Sequence, residues 1–138
     1  MTPIATTIFI AAVIGVPDGS SLTVTINRQP VTVQLAEIEL PRNQRLLQQS
    51  RKALAKLCGE RKAEMHPQFT GSDGRIVAQV GCAGKDAAVE QVRLGMAQVD
   101  DAHSTNRKLY EAQADARTAR RGLWADPKVA AAWERGNR

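Results

Sequence analysis

The sequence predicts an α+β fold that is mainly β, and three observations carry that expectation. Thr6 to Val16 is an apolar, β-branched run, and from Leu22 to Leu35 apolar residues alternate with polar ones, the period of a strand with one buried face. Clusters rich in Gly, Pro, Asp and Ser separate these runs. Three later segments instead repeat their apolar residues at helical spacing. A chain of 138 residues, 43% of them hydrophobic, suits one domain with a sizeable core. We take that domain as 1–138, with its core over about 6–124 and a C-terminal tail over 125–138.

Thr6 to Val16 is the first predicted strand. The stretch Ile8 to Val16 also has the length of a signal-peptide hydrophobic region, but no basic residue precedes it and no small-residue cleavage site follows. It is far short of the roughly 20 apolar residues that span a bilayer. Pro17-Asp18-Gly19-Ser20 then supplies turn chemistry, and Leu22, Val24 and Ile26 alternate with Thr23 and Thr25 in a second strand. After a turn at Arg28-Gln29-Pro30, Val31, Val33 and Leu35 share one face of a third strand, with Gln34 on the other. Leu46, Ser50, Ala53, Leu54 and Leu57 predict a helix from about Asn43 to Cys58. Arg61–His66 and Arg75–Cys82 read as a hairpin around Gly71-Ser72-Asp73-Gly74. Asp86 is a good N-cap for a short helix ending at Gly95. Ser104 or Thr105 can cap a third helix, with Leu109, Ala112, Ala116 and Ala119 as its apolar stripe and Gly122 as its stop. Trp124 follows as a core anchor, and Trp133 in the tail either packs back or meets a partner.

Two cysteines bear on compartment. Antiparallel pairing keeps the sum of paired residue numbers constant, and a hairpin centred near Thr70-Gly71 places Cys58 nearly opposite Cys82. They are either two small buried thiols or a disulfide. A disulfide favours an oxidising compartment, periplasmic or secreted; free thiols favour the cytoplasm. With His66 and His103 they show no metal-ligand spacing. His103 lies in a polar connection beside Asp100 and Asp101 and is expected to be solvated.

The net charge of +5 invites a nucleic-acid reading, and its distribution sharpens it. Residues 41–62 carry seven Lys/Arg and one acid, and residues 104–138 carry eight and four. Residues 1–40 and 63–103 are net acidic, by two and three charges. Positive charge therefore gathers on the predicted helices.

Five motifs recur in a recognisable order: Val16-Pro17-Asp18-Gly19-Ser20-Ser21-Leu22-Thr23-Val24, Val33-Gln34-Leu35-Ala36-Glu37-Ile38-Glu39-Leu40-Pro41-Arg42, Asp73-Gly74-Arg75-Ile76-Val77-Ala78, Val92-Arg93-Leu94-Gly95-Met96-Ala97, and Ala116-Arg117 through Arg121-Gly122-Leu123-Trp124. From about Thr6 to Trp124 the chain resembles the staphylococcal nuclease (thermonuclease) family. The resemblance implies a five-stranded OB-type barrel with three helices that hydrolyses phosphodiesters with calcium. It also implies roles. The second Asp of an Asp-Gly-Asp turn and the Asp of Ile-Asp-x-Pro-Glu bind calcium, the Glu positions the attacking water, and two Arg residues hold the phosphate.

Carried over one position at a time, Ser20 stands for the second turn Asp, Glu39 for the later Asp, Gln34 for the first Arg and Arg42 for the Glu after Pro41. Arg75 alone keeps its expected identity. Calcium favours several hard oxygen ligands, so Asp18 and Glu39 with Ser20 make a poorer cage. A guanidinium cannot take a proton from water, so Arg42 cannot replace the carboxylate. Gln34 brings hydrogen bonds but no charge, and losing one such contact typically costs about 10² to 10³ in rate. Asp73 stands where the family usually has Tyr, and Asp100 and Asp101 where nucleotide-supporting aromatics are usual; carboxylates there repel a phosphate.

The favoured reading is a nuclease homologue with lost or strongly impaired activity, used as a binding or structural module. It needs no cofactor. One alternative is a working nuclease on DNA or RNA, with Glu39, Glu37 and Asp18 holding a metal such as calcium and Arg75 the phosphate. Another is a non-specific nucleic-acid-binding protein that uses its basic helices. The expected partners are nucleic acid, held weakly and without specificity, or a protein; a membrane is not expected, and the chain is expected to be a monomer.

Overall fold

The computed structural model of the protein describes residues 7–136, with side chains as far as Ala131. Met1–Thr6, the packing of Trp133 and the last two residues lie outside the described residues. In chain order the elements are β1 (Phe9–Asp18), β2 (Ser21–Ile26), β3 (Gln29–Leu35), β4 (Ile38–Glu39), α1 (Gln44–Cys58), β5 (Lys62–Thr70), β6 (Ile76–Cys82), β7 (Lys85–Asp86), α2 (Ala87–Arg93), β8 (Gln98–Val99), α3 (Arg107–Ala119), a 3-10 turn (Gly122–Ala125) and α4 (Pro127–Gly136). The five long strands form the expected closed barrel. Antiparallel pairs run β3-β2-β1-β5-β6, and a parallel pairing of β3 with β6, Val33 opposite Ile76 and Leu35 opposite Ala78, closes it.

Alternation decides what fills the barrel. Ala11 and Val13 of β1 point inward while Ile10, Ala12 and Ile14 stay exposed. Leu22, Val24, Val33, Leu35, Met65 and Val80 complete the interior, and each such burial contributes about 1.5–3 kcal/mol. Two details of the strand region differ from expectation. β1 continues through Pro17 to Asp18, leaving Gly19-Ser20 as a two-residue hairpin loop. The second turn is Asn27-Arg28, whose φ angles of 52° and 66° suit the tight hairpin twist, so Gln29 and Pro30 already belong to β3.

Helix starts follow local chemistry. Asn43 caps α1, its side chain accepting from the Leu46 N–H, and Asp86 caps α2 by accepting from Val89. For α3 the cap is Asn106, not Ser104 or Thr105; the Ser104 hydroxyl instead accepts from the Asn106 N–H just before the helix. Leu109, Ala112 and Ala116 are buried as expected, but Ala119 is exposed in the last turn. Arg120, at φ 55°, ends the helix in place of Gly122. Gly122 has a different task. A Cβ there would lie 2.2 Å from the Gly95 carbonyl oxygen, because the chain after α3 crosses the end of α2 and Leu123 donates to that same oxygen at 2.8 Å.

Residues 125–138, expected as a tail, include α4. Leu46, Ala116, Leu123 and Trp124 form a small second core, against which Val129 and Ala130 pack. Trp124 is the anchor its position suggests, with the Arg117 guanidinium 5.0 Å above its ring.

Cys58 and Cys82 are bridged, with Cα atoms 5.3 Å apart. The strand register that pointed to this pair was wrong. Glu64 pairs with Gly81 and Pro67 with Ala78, so paired numbers total 145, not 140, and the hairpin is centred beyond Gly71. Cys58 ends a helix rather than facing Cys82 across strands. It meets Cys82 because it continues the buried stripe of Leu46, Ser50 and Leu54, and α1 lays that face on the barrel.

Candidate active site

Strand pairing brings the candidate residues to one end of the barrel. Ser21 lies opposite Gln34, and the Leu35 N–H donates to the Ser20 carbonyl at 2.8 Å, which ties the β1–β2 turn to β3. The parallel pairing puts Gln34 beside Val77, so Arg75, just before β6, reaches across. Arg75 Nη1 donates to Gln34 Oε1 at 3.0 Å. Asp73 holds the other side of Arg75, accepting from its backbone N–H at 3.0 Å and lying 3.9 Å from Nε. Both members of that pair are exposed, and Arg75 and Asp73 also border a groove of about 280 Å³ with Pro30 and Thr32.

The Asp18 carboxylate is engaged within its own turn. Its Oδ1 accepts from the Ser20 N–H at 2.8 Å and from the Ser20 hydroxyl at 3.2 Å. Ser20 is buried, so its oxygen serves the turn. The turn is held from below by a buried polar network absent from the sequence-derived site. Gln91 Nε2 donates to the carbonyls of Gly19 at 2.8 Å and Ser50 at 3.0 Å, and the Ser50 hydroxyl donates to Met96 O at 2.9 Å. Gly19 permits this approach, since a Cβ there would lie 1.8 Å from Ser50 Oγ. The isolated serine in the apolar stripe of α1 was the only sequence signal for it.

Glu39 belongs to a second group. It lies opposite Gln98 in the β4–β8 pair, and the Asp100 N–H donates to the carbonyl of Glu37, which takes φ 70°. Burial raises the Glu39 pKa above 4.5, and Asp100 and Asp101 raise it further, against His103 and Arg42. His103 is exposed and its Nδ1 lies 2.7 Å from Asp100 Oδ2; His66 pairs with Glu64 at 3.2 Å. The Tyr110 hydroxyl donates to Asp101 and to the Ser104 carbonyl, both at 3.1 Å. Its pKa is raised by desolvation and then by Asp101. Among the described residues, no three or more His, Cys, Asp or Glu converge to hold a metal ion. Arg42 is exposed beside this acidic group.

The arrangement thus offers one guanidinium bonded to a neutral amide, one carboxylate whose Oδ1 is engaged in its own turn, and Glu39, whose proton affinity is raised by burial and by Asp100 and Asp101. A model of the family described as staphylococcal nuclease homologue matches residues 32–126. A micrococcal nuclease of Shigella flexneri is 27% identical over 138 residues, covering 91% of this chain and 79% of that protein. A protein described as an uncharacterized endonuclease of Haemophilus influenzae is 30% identical over 127 residues, covering 89% and 71%. Protein ParB of Escherichia coli is 26% identical over 134 residues, covering 88% and 76%.

Proposed function

Because this chain belongs to the staphylococcal nuclease homologue family, we propose that it is a nuclease-fold domain whose phosphodiester cleavage is lost or strongly reduced and whose barrel serves as a binding module. The pairing of Gln34 with Arg75 carries this reading. Two positions expected to supply two cations supply one, whose Nη1 is bonded to the amide oxygen and whose Nε lies 3.9 Å from the Asp73 carboxylate. A phosphoryl group approaching Arg75 meets an acceptor already on Nη1 and a carboxylate beside Nε. Transition-state charge is then stabilised by one contested guanidinium where two free ones would act.

The remaining positions support the same reading. Arg42 offers no lone pair with which to orient water. Ser20 turns its hydroxyl toward Asp18 Oδ1, and among the described residues no three His, Cys, Asp or Glu converge, so these residues do not fit a calcium cage. The buried disulfide suits an oxidising compartment, periplasmic or secreted. No described helix is long and apolar enough to cross a membrane.

Hydrolysis of DNA and RNA with and without calcium tests the proposal. The native chain should cleave orders of magnitude more slowly than an active family member. Gln34→Arg with Arg42→Glu should recover part of the rate, and adding Ser20→Asp and Glu39→Asp should recover more. Efficient calcium-dependent cleavage by the native chain, abolished by Arg75→Ala, would overturn it.

A further inference from the structure

We infer that the outer face of α1 binds the phosphate backbone of nucleic acid. The helix carries Arg45, Arg51, Lys52 and Lys56 and no acid. At 100° per residue, Arg45, Gln49, Lys52 and Lys56 fall within about 60° of one another. They lie opposite the buried stripe of Leu46, Ser50, Leu54 and Cys58, and all four are exposed. Arg51 stands apart, about 120° round the helix from Arg45.

The stripe is free to act. None of the ion pairs among the described residues involves an α1 cation, whereas Arg75, Lys85, Arg93 and Arg107 each face a carboxylate. From Arg45 to Lys56 the stripe runs about 16 Å at 1.5 Å per residue. That length covers several successive phosphates of an extended single strand, so three cations and one amide donor can each meet the backbone. The cleft end of the barrel instead carries Asp73, Glu39, Asp100 and Asp101. A polyanion is repelled there and attracted along α1, which separates binding from the impaired cleft. The inference rests on the nuclease-family reading for the choice of nucleic acid as the polyanion.

The test is binding of a labelled single-stranded DNA of about twelve nucleotides by fluorescence anisotropy, in EDTA, over about 50 to 300 mM salt. Three phosphate contacts predict a log–log salt slope near −2, from about 0.7 per contact. Each of Arg45→Gln, Lys52→Gln and Lys56→Gln should weaken binding about threefold to tenfold and reduce the slope by about 0.7. Glutamine keeps helix propensity, and circular dichroism checks the fold. Arg51→Gln removes the same charge from the same helix and should change affinity less than about twofold. Equal losses from Arg51→Gln and the stripe variants would mean that net charge alone acts, and would overturn the inference. So would no binding at the lowest salt, or equal competition by polyglutamate of matched charge. A cleavage assay on the same samples separates the two proposals, since an active cleft would overturn the first and leave the α1 map standing.

Discussion

Reducing the Cys58–Cys82 bridge should lower the unfolding free energy by about 3.5 kcal/mol. The cysteines are 24 residues apart in sequence, so the bridge closes a loop of that size in the unfolded chain. Loop-closure entropy of about 2.1 plus 1.5R ln n cal/mol/K, multiplied by 298 K, gives that figure. Both cysteines are fully buried, so reduction leaves two thiols in an otherwise intact core and the change falls on the unfolded ensemble. Urea unfolding of oxidised and fully reduced protein, followed by tryptophan fluorescence, is the assay. The reduced chain should show an earlier midpoint and a somewhat larger m value, because its unfolded state is less compact. In a thermal scan the same loss should appear as a drop of about 10–15 °C. A change below about 1 kcal/mol would refute the unfolded-state reasoning. Loss of the folded state in the absence of denaturant would refute it from the other side, by showing that the bridge holds native packing together.

Gly19→Ala should cost about 2–3 kcal/mol, since its Cβ would lie 1.8 Å from Ser50 Oγ and 2.9 Å from the Ser50 carbonyl carbon. Adding Ser50→Ala should not rescue it, because the backbone contact remains; full rescue in urea melts would contradict the geometry. The raised pKa of Glu39 gives a pH-dependent prediction. The folded state keeps the proton longer than the unfolded state, so stability is lost as pH rises from 4.5 through the raised value. Glu39→Gln should therefore match the native chain below pH 4.5 and exceed it in stability at neutral pH. A variant that is less stable at neutral pH would show that the Glu39 carboxylate is favourably paired.

Features set by near neighbours were legible in the sequence. Asn43 and Asp86 cap helices because a side-chain oxygen needs only the N–H groups one turn ahead, and the strands announced themselves because alternation is a property of one segment. The resemblance carried by the ordered motifs implied one site for Gln34, Arg75 and Asp18, and Gln34 and Arg75 do meet. Even local signals misled where several competed: Ser104, Thr105 and Asn106 all suit an N-cap, and only the entry path of α3 selected Asn106. Tertiary structure decided the rest. The disulfide pair was anticipated through a strand register five residues out, whereas the bridge depends on which face α1 lays on the barrel. The parallel closure of β3 on β6 gave Arg75 a partner in Gln34, beside its chain neighbour Asp73. Nothing in the chain marked Gln91 as the support of the Gly19 turn, 72 residues away. Caps and alternation are energies of a few adjacent residues and can be read in order. Contacts across the barrel arise only when closure brings distant segments to hydrogen-bonding range, and their partners are chosen by which polar groups that closure leaves unsatisfied.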